Sequence, residues 1–197
     1  MINEGRNSMI FRPNYMQAIK AFKDKPLVKI LTGIRRCGKS TIFLMLKEEL
    51  IKEGVSEEDI IEKRYTDMDI PENITAKQMY DELIEAIGDK KHCYLLLDEI
   101  QEVPDWERAV NNLLECGKAD IYITGSNSKL MSSEISTYLT GRYIQIPVFT
   151  LSFQEYMDFK EDSRKSKTEL LEEYIRFGGF PIIALGEYEP QQAYQIV

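Results

Sequence analysis

Between a short apolar run and a helical pattern lies the octet Gly33-Ile34-Arg35-Arg36-Cys37-Gly38-Lys39-Ser40, and nothing else in the 197-residue sequence restricts the fold as much. Its form is G-x-x-x-x-G-K-[ST]. Glycines at 33 and 38 allow backbone torsions and a close approach that a Cβ would block. Successive backbone N–H groups then wrap phosphates, and Lys39 brings a compact positive charge to the β and γ phosphates. Ser40 offers its hydroxyl to Mg²⁺, and the N-terminus of the following helix favours the anion. With Thr41 next in line, residues 33–41 form the expected nucleotide-contacting set. Four fixed letters occur by chance. Here they follow residues 27–32, rich in apolar and β-branched types, and precede Ile42, Leu46 and Leu50 at four-residue spacing. That strand-loop-helix context is the one the motif requires.

The rest of the chain repeats strand and helix. A weaker strand is expected at about 61–66, followed by a Thr75/Gln78 capping box ahead of Met79, Leu83, Ile84 and Ile87 at helical spacing. Residues 93–97 are a continuous apolar run, as expected of a central parallel strand covered on both faces. Pro104 and Asp105 open a further helix that Gly117 closes. Strands at 121–124 and 143–148 complete five. This alternation implies an α/β fold, a parallel sheet in a three-layer sandwich. Residues 158–168 are dense in charge, and a short helix at about 169–177 leads to Gly178-Gly179-Phe180-Pro181. A core over 1–157 is therefore expected, followed by a linker and the start of a second, truncated unit over 158–197.

Composition narrows the setting. Twenty-five basic against 33 acidic side chains give a net charge of -8, which opposes non-specific adhesion to nucleic acid or an anionic membrane. The basic residues Arg6, Arg12, Lys20, Lys23 and Lys25 are scattered and not interleaved with aromatics, so DNA remains a possible partner without support. No apolar run approaches the roughly 20 residues that span a bilayer, and residues 1–15 lack the layout of a secretory signal. A cytoplasmic protein is expected. Cys37, Cys93 and Cys116 have no paired ligand spacing, so reduced thiols are the default, and lone His92 is assigned no role.

Asp98 and Glu99 stand at the C-terminal end of the most apolar strand, where open α/β sheets bind their ligands. Asp98 can reach the Mg²⁺ shell. Glu99, pointing a different way, can polarise the water that attacks a γ-phosphate and is the expected general base. The extra strand between the loop and Asp98 fits the branch of P-loop proteins using such a glutamate, with strands ordered 5-1-4-3-2. Ser126 and Asn127, at the tip of strand four, are both candidates for a sensor of γ-phosphate or water; a serine-rich turn capping a helix is the alternative. Arg142 can serve as an arginine finger toward a neighbouring subunit, and a surface salt bridge explains it almost as well. Arg35 and Arg36 either help hold phosphate or are solvated charge. Cys37, at a helix N-terminus, is a candidate for a lowered thiol pKa, unless small size alone explains it.

Taken together, residues 32–41, Leu96-Leu97-Asp98-Glu99-Ile100-Gln101 and Ile123-Thr124-Gly125-Ser126-Asn127-Ser128 resemble the AAA-type ATPases of archaea and bacteria, which carry a further C-terminal domain. The resemblance extends through Gly141-Arg142 and Leu151-Ser152-Phe153-Gln154-Glu155-Tyr156 to Gly178-Gly179-Phe180-Pro181, and upstream to Arg12-Pro13-Asn14-Tyr15. It implies the AAA+ core fold, ATP with Mg²⁺, a sensor at Ser126 or Asn127, and a chain that is the N-terminal ATPase portion of something longer. The expected activity is ATP hydrolysis coupled to a protein or DNA target, alone or as a homo-oligomer. A nucleotide-gated binding module with slow hydrolysis is the alternative. A phosphotransferase would need an acceptor or lid motif, and no distinct one is found.

Overall fold

Apolar residues alternate across the strand that feeds the phosphate loop, and that alternation organises the molecule into layers. The computed structural model describes residues 10–126, 130, 138–161, 163–186, 188 and 190–196. In β1 (Val28–Gly33), Val28 and Ile30 face one core and Leu31 the other. β3 (Cys93–Asp98) does the same with Leu95 and Leu97 against Leu96, and every residue in it is buried. With β2 (Ile60–Arg64), β4 (Ala119–Ser126) and β5 (Tyr143–Pro147), these strands form a parallel sheet in the order β2-β3-β4-β1-β5. That is the expected 5-1-4-3-2 order read from the other edge. Parallel strands need crossovers, so helices cover both faces.

On one face lie α1 (Pro13–Lys20) and α2 (Lys39–Lys52), which bury Met16, Ile19, Ile42, Phe43, Met45, Leu46 and Leu50. On the other lie α3 (Ala76–Ile87) and α4 (Trp106–Cys116). The Thr75/Gln78 capping box forms as expected, and Gly117 ends α4 at φ 67°, a left-handed conformation that glycine adopts without a Cβ penalty. α1 has no counterpart among the expected elements. Only eight residues long, it carries Pro13 in its first turn and just two buried side chains, too short a stretch to show a period.

After β5 come α5 (Phe153–Phe159), α6 (Lys167–Phe177), α7 (Pro181–Leu185) and α8 (Pro190–Ile196). Ser152/Glu155 and Ser166/Glu169 cap α5 and α6 with reciprocal boxes. Leu151 and Tyr156 pack with Leu170 and Ala184 in a small third cluster. The Leu151 N–H donates to the Gly179 carbonyl at 2.6 Å, and Tyr174 Oη donates to the Leu151 carbonyl at 2.8 Å. A Cβ on Gly179 would collide with that carbonyl, while Gly178 takes a φ of 74°, so each of the paired glycines ahead of Pro181 has its own reason. This seam brings α7 back over the phosphate loop.

Candidate functional site

The loop begins where β1 ends. A Cβ on Gly33 would collide with the Val148 carbonyl oxygen and lie 2.7 Å from Cys37 Sγ, so only glycine fits. Arg36 (φ 65°) and Gly38 (φ 102°) take left-handed torsions, and Gly38 caps α2. Lys39, 4% exposed, donates from Nζ to the Gly33 and Ile34 carbonyls, both at 3.1 Å. Ser40 and Thr41 follow in the first turn of α2, while Ile34, Arg35 and Arg36 are exposed. Of the two readings of Cys37, the lowered thiol pKa is overturned. Burial pushes the thiol up, and Lys39 and Arg12 only partly offset it. The thiol is fully buried against Gly33, and this desolvation outweighs the backbone N–H groups of Lys39 and Cys37 that favour the thiolate.

Asp98 closes β3, buried, with one carboxylate oxygen accepting from the Thr124 hydroxyl and the other from Arg64 Nε at 3.2 Å. Glu99 leaves the strand at φ 53°, and its N–H donates to Thr124 Oγ1 at 3.1 Å. Beyond this left-handed step, Glu99 Oε1 lies 4.0 Å from Lys39 Nζ. Gln101 Nε2 donates to Glu99 Oε2 at 2.5 Å. Ser126 ends β4 in register with Gly33, which sets the strand-four tip beside the loop. Asn127 lies outside the described residues.

Arg142 is not brought to this site. Its carbonyl accepts from Val28 N–H at the start of β1, and Nη1 donates to Asn111 Oδ1 (3.0 Å) and Glu115 Oε1 (2.8 Å) on α4. It thus stands at the opposite end of the sheet from the phosphate loop, in a surface ion pair. His92 lies 3.2 Å from Asp24 at the same end, on the surface.

Four features escaped the sequence reading. Thr124 links Asp98 to Glu99, Gln101 holds the Glu99 carboxylate, and Arg64 holds Asp98. Fourth, Pro181, Ile182, Leu185, Gly186 and Tyr188 form the far wall of a cleft of about 460 Å³. Its near wall is Arg36, Gly38, Lys39, Ser40, Thr41 and Glu99. The signal for that wall was Gly178-Gly179-Phe180-Pro181; for Arg64 and Gln101 it was only proximity to strand ends.

Among the described residues no group of three or more His, Cys, Asp or Glu side chains could hold a metal. Ser40 and Asp98 supply one hydroxyl and one carboxylate, a donor set that suits Mg²⁺ sharing its shell with phosphate oxygens and water.

A family model described as an AAA domain matches residues 25–157. The chain belongs to this family. A relative from Haemophilus influenzae, described as an uncharacterized protein, is 34% identical over 184 residues, covering 91% of this chain and 46% of its own. The chain spans less than half the length of the curated relatives it matches. Among solved structures, AMPPCP-bound DnaA from Aquifex aeolicus superposes with a TM-score of 0.58 at 17% identity, over 88% of this chain and 58% of that one. Hsp104 in its casein complex, from S. cerevisiae, gives 0.60 at 14% identity, over 89% and 36%. At such identities the likeness is one of fold: this AAA domain has the P-loop nucleotide-binding architecture of the AAA+ ATPases. Among the described residues no helix is long and apolar enough to cross a membrane.

Proposed function

We propose that this AAA domain binds ATP with Mg²⁺ and hydrolyses the β–γ phosphoanhydride, coupling turnover to a protein or DNA target. The observation that carries the reading is the 4.0 Å approach of Glu99 Oε1 to Lys39 Nζ, with Asp98 and Ser126 at the adjoining strand ends. In this proposal the backbone N–H groups of residues 33–41 and Lys39 bind the triphosphate. Pro181, Ile182, Leu185 and Tyr188 offer an apolar wall to the nucleoside. Ser40 and Asp98 would hold the ion, which would supply neutralisation of negative charge on the phosphates.

Glu99 then takes a proton from the attacking water, and Ser126, with Asn127, senses the γ-phosphate. The chain divides into an ATPase core through residue 157 and a second unit from 158, and works in the cytoplasm. Arg142 acts on a neighbouring copy in a homo-oligomer, leaving Glu115 to do so. A strict monomer by mass photometry under every nucleotide condition overturns that role.

A second reading, a nucleotide-gated binding module, is favoured by one contact: Gln101 already occupies the Glu99 carboxylate. Steady-state phosphate release separates the two. Wild type should show Mg²⁺-dependent turnover, and Glu99→Gln should lose about 10²- to 10⁴-fold of it. Tight ATP binding without turnover in either protein overturns the enzyme reading and leaves the switch.

A further inference from the structure

Arg12 is 3% exposed, and its donors go to three separate pieces of chain. Nη1 donates to the Cys37 carbonyl at 3.2 Å, inside the phosphate loop. Nη2 donates to the Phe149 and Thr150 carbonyls at 3.2 and 3.5 Å, where β5 hands over to α5. Nε and Nη2 grip both oxygens of Glu155 at 2.8 and 3.3 Å, the same carboxylate that completes the capping box of α5. The guanidinium lies 4.3 Å from the centre of the Tyr15 ring, and Tyr15 Oη accepts the Phe149 N–H at 3.0 Å. A buried guanidinium is a poor device for stability alone, because apolar residues of similar volume often serve as well or better. What it does supply is a planar fork that fixes several oxygens in one geometry.

We propose that Arg12 is a positioning residue for the phosphate loop: by holding the Cys37 carbonyl it orients and polarises the Cys37–Gly38 peptide, and so the N–H of Gly38 that is offered to phosphate. A charge-assisted bond at the carbonyl makes the N–H of the same peptide a stronger donor. Through Glu155 and the two β5–α5 carbonyls, Arg12 ties that peptide to the helices beyond the sheet. This rests on the nucleotide-binding reading above.

The test titrates the fluorescent analogue mant-ATP with Mg²⁺ into the 197-residue wild type, Arg12→Lys and Tyr15→Phe, with thermal melts of each. An ammonium cannot reach Cys37 and both oxygens of Glu155 together, so Arg12→Lys should weaken binding about tenfold, the equivalent of one lost charge-assisted bond. Tyr15→Phe removes a neighbouring bond without touching the Cys37 carbonyl; it should lower the melting temperature and leave affinity unchanged. If Arg12→Lys does not fold, Glu155→Gln, which keeps the capping box, should still weaken binding several-fold. Wild-type binding that Arg12→Lys, or Glu155→Gln in its place, leaves unaltered overturns this inference alone. Absence of wild-type binding at millimolar analogue removes the nucleotide reading and the inference with it.

Discussion

Both ends of the sheet bury a lysine, and they treat it in opposite ways. At the N-terminal ends of the strands Lys29, fully buried, is ion-paired to Asp120 and donates to the Lys25 carbonyl at 2.8 Å. Asp120 is also satisfied by Tyr122 Oη at 2.7 Å and by the Asp24 N–H at 2.8 Å. At the C-terminal ends Lys39, nearly as buried, rests on two carbonyls of its own loop, with its nearest carboxylate 4.0 Å away. Burial of charge therefore does not distinguish a working site from a structural one. The difference lies in pairing: the first lysine is closed by groups of the fold, while the second is aimed by the fold at a concave cleft.

The harshest way to break this comparison is to remove the closed lysine. Lys29→Met strands Asp120 without its counter-ion, and should cost about 3–5 kcal/mol of stability, read as a lowered urea midpoint. Turnover per folded molecule should stay as in wild type. A variant that remains as stable as wild type would mean that Tyr122 and the Asp24 N–H satisfy Asp120 alone.

Lys39→Met makes the opposite prediction. It removes hydrogen bonds to two neutral acceptors, the buried Gly33 carbonyl and the part-buried Ile34 carbonyl, and strands no charge, so the melting temperature should move far less than in Lys29→Met. ATP turnover should fall about 10²- to 10³-fold, the cost of losing one preorganised donor to the transferring phosphoryl group. A loss of stability as large as that of Lys29→Met would erase the distinction between the two ends.

How much of this was readable in advance follows from the range of each interaction. The phosphate loop and the buried β3 were legible because glycine spacing and apolar runs are local signals, while the strand order came from the branch of P-loop proteins that the extra strand fits. Arg12 was not, because its partners lie 25 and 137 to 143 residues away and nothing beside it marks a buried fork. Cys37 misled for a related reason. Its place before a helix argued for a low thiol pKa, but packing against Gly33 decided the matter. The expected strand at 121–124 stops short of Gly125, yet Gly125 lies inside β4, and its missing Cβ leaves space that the Gln101 side chain fills. Glu99 was placed correctly as a strand-end carboxylate, while its left-handed backbone and its bond to Gln101 became visible only in three dimensions.

The smallest expected effect sharpens the comparison at its margin, where Arg12 and Glu155 form a pair that belongs to neither end. Burial pushes the Glu155 carboxyl up, but the Arg12 guanidinium and the Ser152 N–H and hydroxyl more than offset this, and the pKa ends below its ordinary value. Between the two pKa values the unfolded chain binds more protons than the folded one. The pair's contribution is therefore complete above the unfolded value of about 4.3 and is lost as pH falls through the lower folded value. Glu49, Glu53, Glu115 and Glu169 are lowered too, so the wild-type acid slope alone identifies nothing. Glu155→Gln keeps the capping box and removes the charge. Its stability deficit, measured by urea unfolding from pH 7 to pH 3, should be largest near neutrality and shrink on acidification. A deficit that stays constant over that range would mean that Arg12 is held by the carbonyls of Cys37, Phe149 and Thr150, with the carboxylate a bystander.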